Sequence, residues 1–168
     1  MKNFENAIRS KKAVLVVGAG VSLATTHDSL AGWDGLLRNG VATCKSHFPD
    51  SLDEKWVERR YRDLEEGDVY DKLNVATQVM DRFRKRGEGV LQTWLEATIG
   101  KFTVKNRELI EAIGALKLPV LTTNFDTLIE KVLGRESAVW NNPELCSQII
   151  KGLSKGVLHM HGHWKLPG

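Results

Sequence analysis

Three short aliphatic runs in this chain lead directly into polar or glycine-containing loops, and this arrangement constrains the fold more than any other feature. The runs are residues 13–17, 118–122 and 156–160, and the loops after them begin at Gly18, Thr123 and His161. Continuous aliphatic runs rich in β-branched residues are typical of strands that are buried on both faces of a parallel sheet. Because ligands bind outside the carboxyl ends of the strands in open α/β sheets, we expect the three loops to converge on one site.

A long helical stretch separates the first run from the second. Residues 33–47, 52–65, 68–86, 89–99 and 106–117 have apolar side chains at three- and four-residue spacing, with charged residues between them. This is far more than one crossover helix. We therefore predict an α/β fold, a Rossmann-like parallel sheet with a large helical insertion at about residues 33–117. Shorter helical patterns cover residues 3–10 and residues 127–133, and Gly134 closes the second of these.

The composition fits one globular domain and excludes several classes of protein. The chain has 168 residues, of which 42% are hydrophobic and 27% charged, and domains usually have about 100–200 residues. A net charge of +3 is too small to imply nucleic-acid binding, and we interpret the basic run at residues 82–86 as a solvated helix face. Cys44 and Cys146 form no CxxC pair, so they provide neither a disulfide framework nor a four-ligand zinc site.

The sequence also lacks the patterns of membrane and secreted proteins. No apolar run approaches the ~20 residues of a membrane-spanning helix. The first residues, Met1-Lys-Asn-Phe-Glu-Asn, lack the apolar region of a secretory signal. We therefore expect a cytoplasmic protein that does not contact a membrane.

The glycine loop after the first run has two interpretations. Gly18 and Gly20 would let backbone amides approach a phosphate at a helix N-terminus, although glycine also serves any tight turn between a strand and a helix. The dinucleotide fingerprint G-x-G-x-x-G is incomplete because Leu23 stands where the third glycine should be. A plain Rossmann dehydrogenase is therefore disfavoured. The lysine of the phosphate loop G-x-x-x-x-G-K-[ST] is also missing, which excludes that type of nucleotide triphosphatase.

Polar side chains also follow the other two runs. The segment from Thr122 to Asp126 is interpreted either as part of a site or as a helix cap, in which Asn124 or Asp126 accepts backbone N–H bonds. His159, His161 and His163 alternate, so on an extended segment their rings would point the same way. We favour one catalytic histidine over a metal site, because no nearby cysteine or acidic residue completes a ligand set.

The five tryptophans are interpreted mostly as core or interface residues. Trp33 is the exception, because it comes shortly after the glycine loop. It is the only tryptophan that we expect in a pocket wall.

Taken together and in this order, four motifs resemble the sirtuin-like family. They are Gly18-Ala-Gly-Val-Ser22, Ala31-Gly-Trp33, Leu121-Thr-Thr-Asn-Phe-Asp126 and Leu158-His-Met-His-Gly162. The resemblance is closer to the divergent bacterial branch, whose members hydrolyse NAD in anti-phage defence, than to the protein deacylases. In deacylases the glycine loop leads into G-I-P-D-F-R and a four-cysteine zinc module follows the histidine-glycine pair. Here the loop leads into Ala31-Gly-Trp-Asp-Gly-Leu-Leu37, and the zinc cysteines are absent.

The resemblance implies an NAD glycohydrolase that releases nicotinamide and ADP-ribose, with NAD as substrate and no metal. Asn124 would then position the nicotinamide ribose and the attacking water, and Asp126 would contact the nicotinamide carboxamide. His161 would be the general base, acting on water or on a ribose hydroxyl. The residues expected to hold the NAD phosphates are Gly18, Ala19, Gly20 and Ser22, and those expected to complete the NAD site are Trp33, Thr122, Thr123 and Gly162. Neutral oriented groups and one base suit this reaction, because breaking the bond develops positive charge at the sugar carbon.

Two alternatives stay open, an NAD-dependent protein deacylase and a non-catalytic module that binds NAD or ADP-ribose and forms oligomers. Family members generally continue past the histidine-glycine motif with strands whose loops bind the adenosine half of NAD. We therefore expect residues 1–168 to be the N-terminal portion of the catalytic domain, with an incomplete sheet. The expected partners are further copies of the chain and a regulatory or defence-system protein, because unchecked NAD hydrolysis would harm the host cell.

Overall fold

A computed structural model describes residues 2–49, 52–87 and 89–167. Within these residues the helices are α1 (Lys2–Arg9), α2 (Ala19–Thr26), α3 (Trp33–His47), α4 (Glu54–Glu65), α5 (Val69–Arg86), α6 (Val90–Ala97), α7 (Glu108–Ala115), α8 (Leu128–Leu133) and α9 (Pro143–Ile150). The strands are β1 (Leu15–Val17), β2 (Val120–Thr122), β3 (Ser137–Val139), β4 (Val157–His159), β5 (Gly162–His163) and β6 (Leu166–Pro167). Short 3-10 turns occupy Ser29–Ala31 and Ile99–Lys101. None of the described helices is long and apolar enough to span a membrane.

Four of the strands form one parallel sheet in the order β1-β2-β4-β3. The register places Val16 beside Leu121, Leu121 beside Leu158, and Leu158 beside Ala138. The α/β class is therefore confirmed, and each of the three predicted strands is present. The strand β3 and the helix α9 that follows it were not predicted, because β3 has only three residues and forms no aliphatic run.

The prediction that the first strand is buried on both faces is wrong. Val16 is 58% exposed, and Val14 just before β1 is also exposed. Val16 is in one row with Leu121, Leu158 and Ala138. The helix α9 covers this face at β3 and β4, and β1 lies at the opposite edge of the sheet. In contrast, all three residues of β4 are buried, as expected for a strand covered on both faces.

The five predicted helices between β1 and β2 are present as α3 to α7. In this insertion α3 packs on both α4 and α5, and a capping box formed by Asp68 and Asp71 begins α5. Val41, Val75 and Phe83 of the insertion are fully buried and belong to the same apolar cluster as Val120 and Val157 of the sheet. One core therefore joins the insertion to one face of the sheet. Within the basic run, Phe83 is buried in that core, Arg82 is half-buried with its guanidinium over the Trp56 ring, and positions 84–86 are exposed.

Candidate functional site

A cavity of about 760 Å³ lies between the carboxyl ends of the strands and the helical insertion. Each of the three loops contributes to its lining, which includes Ala19 from the first, Thr123, Asn124 and Asp126 from the second and His161 from the third. The predicted convergence of the loops is therefore confirmed. The volume is in the range of small-molecule sites, about 300–1,000 Å³.

Main-chain hydrogen bonds hold the second loop between its two neighbours. The Thr123 amide donates to the Val17 carbonyl oxygen at 3.2 Å, on the β1 side. On the β4 side, the Met160 amide donates to the Thr122 carbonyl oxygen at 2.9 Å. These bonds continue the sheet by about one residue past its strands, so the loops start from a rigid frame.

A short chain of side-chain hydrogen bonds connects the first loop to the second. Asn124 Nδ2 donates to Ser22 Oγ at 2.8 Å, and Ser22 Oγ donates to Asp126 Oδ2 at 2.6 Å. The other carboxyl oxygen of Asp126 accepts the Leu128 amide at 3.1 Å, which is the helix-capping interaction expected for Asp126 or Asn124. Ser22 is only 1% exposed. The side-chain amide of Asn124 is thus held by Ser22, which does not line the cavity, and through Ser22 by Asp126, which does.

The direction of this chain determines which atom of the Asn124 amide is available. A serine hydroxyl has one hydrogen, and Ser22 donates it to Asp126, so Ser22 can only accept from Asn124. Asn124 therefore uses its NH₂ group for Ser22 and keeps its Oδ1 for a ligand. Burial raises the pKa of Asp126, and the hydrogen bonds from Ser22 and Leu128 partly offset this by stabilising the ionised carboxylate. The ionisation of Asp126 thus controls the direction of the chain.

A buried ion pair between His159 of β4 and Glu130 of α8 contacts the main chain of the second loop. His159 Nε2 lies 2.5 Å from Glu130 Oε1, and His159 Nδ1 lies 2.9 Å from the Asn124 carbonyl oxygen. Ser137 Oγ donates to the same oxygen of Glu130 at 2.8 Å. Burial by itself lowers the pKa of His159, but the hydrogen bond and charge of Glu130 outweigh it, so the pKa is raised. Glu130 was not among the predicted site residues, although an acidic residue within the buried segment Leu128–Glu130 was a usable signal.

The third loop places His161 at the cavity and separates it from its histidine neighbours. Gly162 has a φ of +79°, which glycine adopts at little cost, and His161 just before it is exposed. The rings of His159 and His163 are buried with their centroids 5.0 Å apart. The expectation that the three rings point the same way is wrong for His161, because the strand ends at His159. Among the described residues, no group of three His, Cys, Asp or Glu side chains is placed to hold a metal ion.

The glycine loop leads directly into α2. The helix begins after Gly18, and no side chain caps its first turn. An uncapped N-terminus carries partial positive charge and free N–H groups, which favour an anion. Ala19 lines the cavity and Gly20 is exposed, so the first turn of α2 is accessible to a ligand there.

The structure revises the roles expected of Ser22, Thr122 and Gly162. Ser22 and Thr122 are each 1% exposed, and both hydroxyls already bond within the protein. Thr122 Oγ1 accepts the Asn124 amide at 3.1 Å. Gly162 is buried in the turn. These residues shape the loops and do not reach a ligand in the cavity.

The insertion provides a mostly apolar wall opposite the loops. Trp33 lines the cavity as predicted, but the expectation that no other tryptophan does so is wrong, because Trp94 and Trp140 line it too. Trp140 is 61% exposed and comes directly after β3, the strand that was not predicted. Further apolar residues of this wall are Leu30, Leu36, Leu73, Met80 and Leu91.

Comparisons of the chain with protein-family models, with curated proteins and with solved structures give no match. The chemistry of the site is therefore argued from its own groups. The cavity combines an oriented amide at Asn124, a buried carboxyl at Asp126, an exposed imidazole at His161 and an uncapped helix N-terminus. Such a set can bind an anionic ligand, orient a polar group and accept a proton.

Proposed function

We propose that this protein is an NAD glycohydrolase of the sirtuin-like kind, which cleaves NAD to nicotinamide and ADP-ribose. The observation that carries the proposal is the amide of Asn124, fixed through Ser22 on Asp126, in a cavity that also contains His161. All four of these residues belong to the motifs that resemble the sirtuin-like family, and Asn124, Asp126 and His161 line the same cavity. The wider setting belongs to the same proposal: a cytoplasmic anti-phage effector with a Rossmann-like sheet, acting as an oligomer with a regulatory partner.

The residues take distinct roles in this reaction. The uncapped first turn of α2, at Ala19 and Gly20, holds a phosphate of NAD. Asn124 accepts a hydrogen bond from the nicotinamide ribose or from the attacking water through Oδ1. Asp126 contacts the nicotinamide carboxamide, and Trp33 and Thr123 contribute to the walls.

The reaction needs one bond broken and one formed at the same carbon. The bond between the nicotinamide nitrogen and ribose C1′ breaks, and its electron pair leaves with nicotinamide. A water oxygen bonds to C1′, and His161 accepts the proton that this water loses. Positive charge that develops on the sugar is stabilised by the side-chain oxygen Oδ1 of Asn124. One positioned base typically contributes a factor of about 10²–10⁴.

The apolar wall of the cavity favours one second candidate, an NAD-dependent protein deacylase. An acyl group could occupy the space beside Leu36, Leu73 and Leu91 while NAD contacts the loops. The two functions differ in one requirement, because a deacylase releases nicotinamide only when an acylated peptide is present.

The test incubates the protein with NAD, with and without an acylated peptide, and quantifies nicotinamide and ADP-ribose by chromatography. We expect release of both products without the peptide, and a rate about 10²-fold lower in Asn124→Ala, because positioning is lost. Asn141→Ala is the matched control, since Asn141 is exposed and does not line the cavity. A strict need for the peptide would establish the deacylase instead. Binding of NAD without any product, in both arms, would establish the non-catalytic module.

A further inference from the structure

We propose that His159 is a positioning residue for this site. It holds the main chain of Asn124 so that the side-chain amide of Asn124 can donate to Ser22. The inference rests on the proposed function for its kinetic consequence. Its structural content is independent of which reaction the cavity carries out. His159 does not line the cavity and is fully buried, so it acts through Asn124 and not on the substrate.

The surroundings of the ring determine its protonation. Glu130 Oε1 and the Asn124 carbonyl oxygen lie against the two ring nitrogens. An ionised Glu130 carboxylate and a main-chain carbonyl oxygen are both acceptors, whereas a neutral imidazole has only one N–H to donate. With Glu130 ionised, the ring therefore carries both protons, as an imidazolium paired with the Glu130 carboxylate.

The remaining ionisable groups near the ring are consistent with this charge. Asp126 in the second loop acts on His159 in the same direction as Glu130, and both raise its pKa. The ring of His163 in β5 lies beside it, tilted by 56° with the centroids 5.0 Å apart. Burial together with the charge of His159 lowers the pKa of His163. Lys165 acts on His163 in the same sense. The two neighbouring rings thus divide the roles, with His159 charged and His163 neutral.

The consequence for Asn124 follows from where its three hydrogen bonds go. Its amide nitrogen donates to Thr122, its carbonyl accepts from His159, and its side chain donates to Ser22. The first two bonds fix the backbone on both sides of the residue and the third fixes the side chain. Without His159, the carbonyl of Asn124 has no donor inside the fold, and its peptide group can rotate toward water.

Two matched variants separate this role from simple support of Glu130. In His159→Asn, the short amide takes the place of Nδ1 and keeps a donor for Asn124. In His159→Gln, the longer amide takes the place of Nε2. It keeps a donor for position 130 and leaves the main-chain carbonyl oxygen of Asn124 without one. Both are made with Glu130→Gln, which leaves no unpaired buried charge, and Glu130→Gln alone is the reference because a neutral His159 can donate to Asn124 and accept from Gln.

We expect Glu130→Gln alone and its combination with His159→Asn to keep most of kcat for NAD cleavage. The combination with His159→Gln should lose at least about tenfold in kcat with a smaller change in KM. The side-chain amide of Asn124 is then misplaced, while the cavity walls are unchanged. Equal kcat in the two combined variants, or a greater loss with His159→Asn, would overturn the proposal.

A spectroscopic measurement on the unmodified protein tests the proposal without any variant and without activity. Nitrogen-15 NMR of the His159 ring should show protons on both nitrogens at neutral pH. A ring with an unprotonated Nδ1 would overturn the assignment, whether or not the variants fold. If the protein does not cleave NAD but the ring is doubly protonated, the proposed function fails while the positioning of Asn124 stands.

Discussion

At the residue scale, the site depends on which group donates and which accepts in each hydrogen bond, as well as on distances. Ser22 has one proton, and its destination decides whether Asn124 offers an acceptor or a donor to the cavity. Asp126 accepts the hydrogen bond from Ser22, and burial of its carboxyl raises its pKa and so opposes its ionisation. A single substitution at Asp126 should therefore affect stability and activity in opposite directions.

The first residue-scale prediction concerns Asp126→Asn. Burial raises the pKa of Asp126, so protonation stabilises the folded protein at low pH and this contribution is lost as the pH rises through the raised pKa. The neutral variant should therefore have a larger free energy of unfolding than the native protein at neutral pH, with the difference disappearing in acid. Its kcat for NAD should fall by about 10²-fold. An amide at position 126 donates to Ser22, so Ser22 donates to Asn124 and the direction of the side-chain hydrogen bonds is reversed.

Urea unfolding at several pH values and a pH profile of kcat measure both effects. In the native protein, kcat should fall on the acid side as Asp126 becomes protonated, because the protonated carboxyl also donates to Ser22. A variant that loses stability at neutral pH while keeping full kcat would contradict this description.

Part of the cavity lining could be predicted from the sequence, and the roles of its residues less well. Asn124, Asp126 and His161 all line the cavity as expected. Ser22 was expected to hold a phosphate, but it is buried and its hydroxyl donates to Asp126, 104 positions further along the chain. The pattern of residues identifies the loops that meet, whereas hydroxyl directions depend on long-range contacts that no local pattern encodes.

At the element scale, strands with aliphatic runs and helices with clear periodicity were predictable, and short elements were not. The helix α3 was predicted with the bounds Trp33–His47 that it has. In contrast, β3 has three residues and buries only Ala138 between two half-buried neighbours. Its place in the sheet depends on pairing with β4, so tertiary contacts and not local preference define it.

The element-scale prediction concerns the start of α3. A Cβ at Gly35 would lie 2.0 Å from the Ser29 carbonyl oxygen, so the helix packs directly on the turn Ser29–Ala31. Gly35→Ala should lower the free energy of unfolding by about 1–3 kcal/mol, the usual range for overpacking, which exceeds the gain of up to about 1 kcal/mol in helix propensity. It should also raise KM for NAD, because Leu30, Ala31 and Trp33 line the cavity.

Gly40→Ala in the same helix provides a graded comparison in urea unfolding. Its Cβ would meet Val79 at 2.8 Å, a side-chain atom that can shift more easily than a backbone oxygen. We expect a smaller loss of stability than in Gly35→Ala. A Gly35→Ala protein as stable as the native one would contradict the packing described for α3.

At the scale of the whole molecule, the site lies where two parts of the fold meet. The parallel sheet supplies the polar loops, and the helical insertion supplies the apolar wall. One buried cluster continues from the insertion into the sheet, so the two sides of the cavity are held in a fixed relation. In this arrangement the loops can bind the polar end of a ligand, and the wall formed by the insertion shields the ligand from water.

The central claim is that this cavity transfers the ADP-ribose group of NAD to water. The most direct measurement runs the reaction in heavy-oxygen water, with NAD alone, and analyses the ADP-ribose by mass spectrometry. Our account predicts one heavy oxygen in the newly formed ADP-ribose and a rate of its formation about 10²-fold lower in Asn124→Ala. ADP-ribose without the heavy oxygen, or equal yields from the native protein and Asn124→Ala, would contradict it.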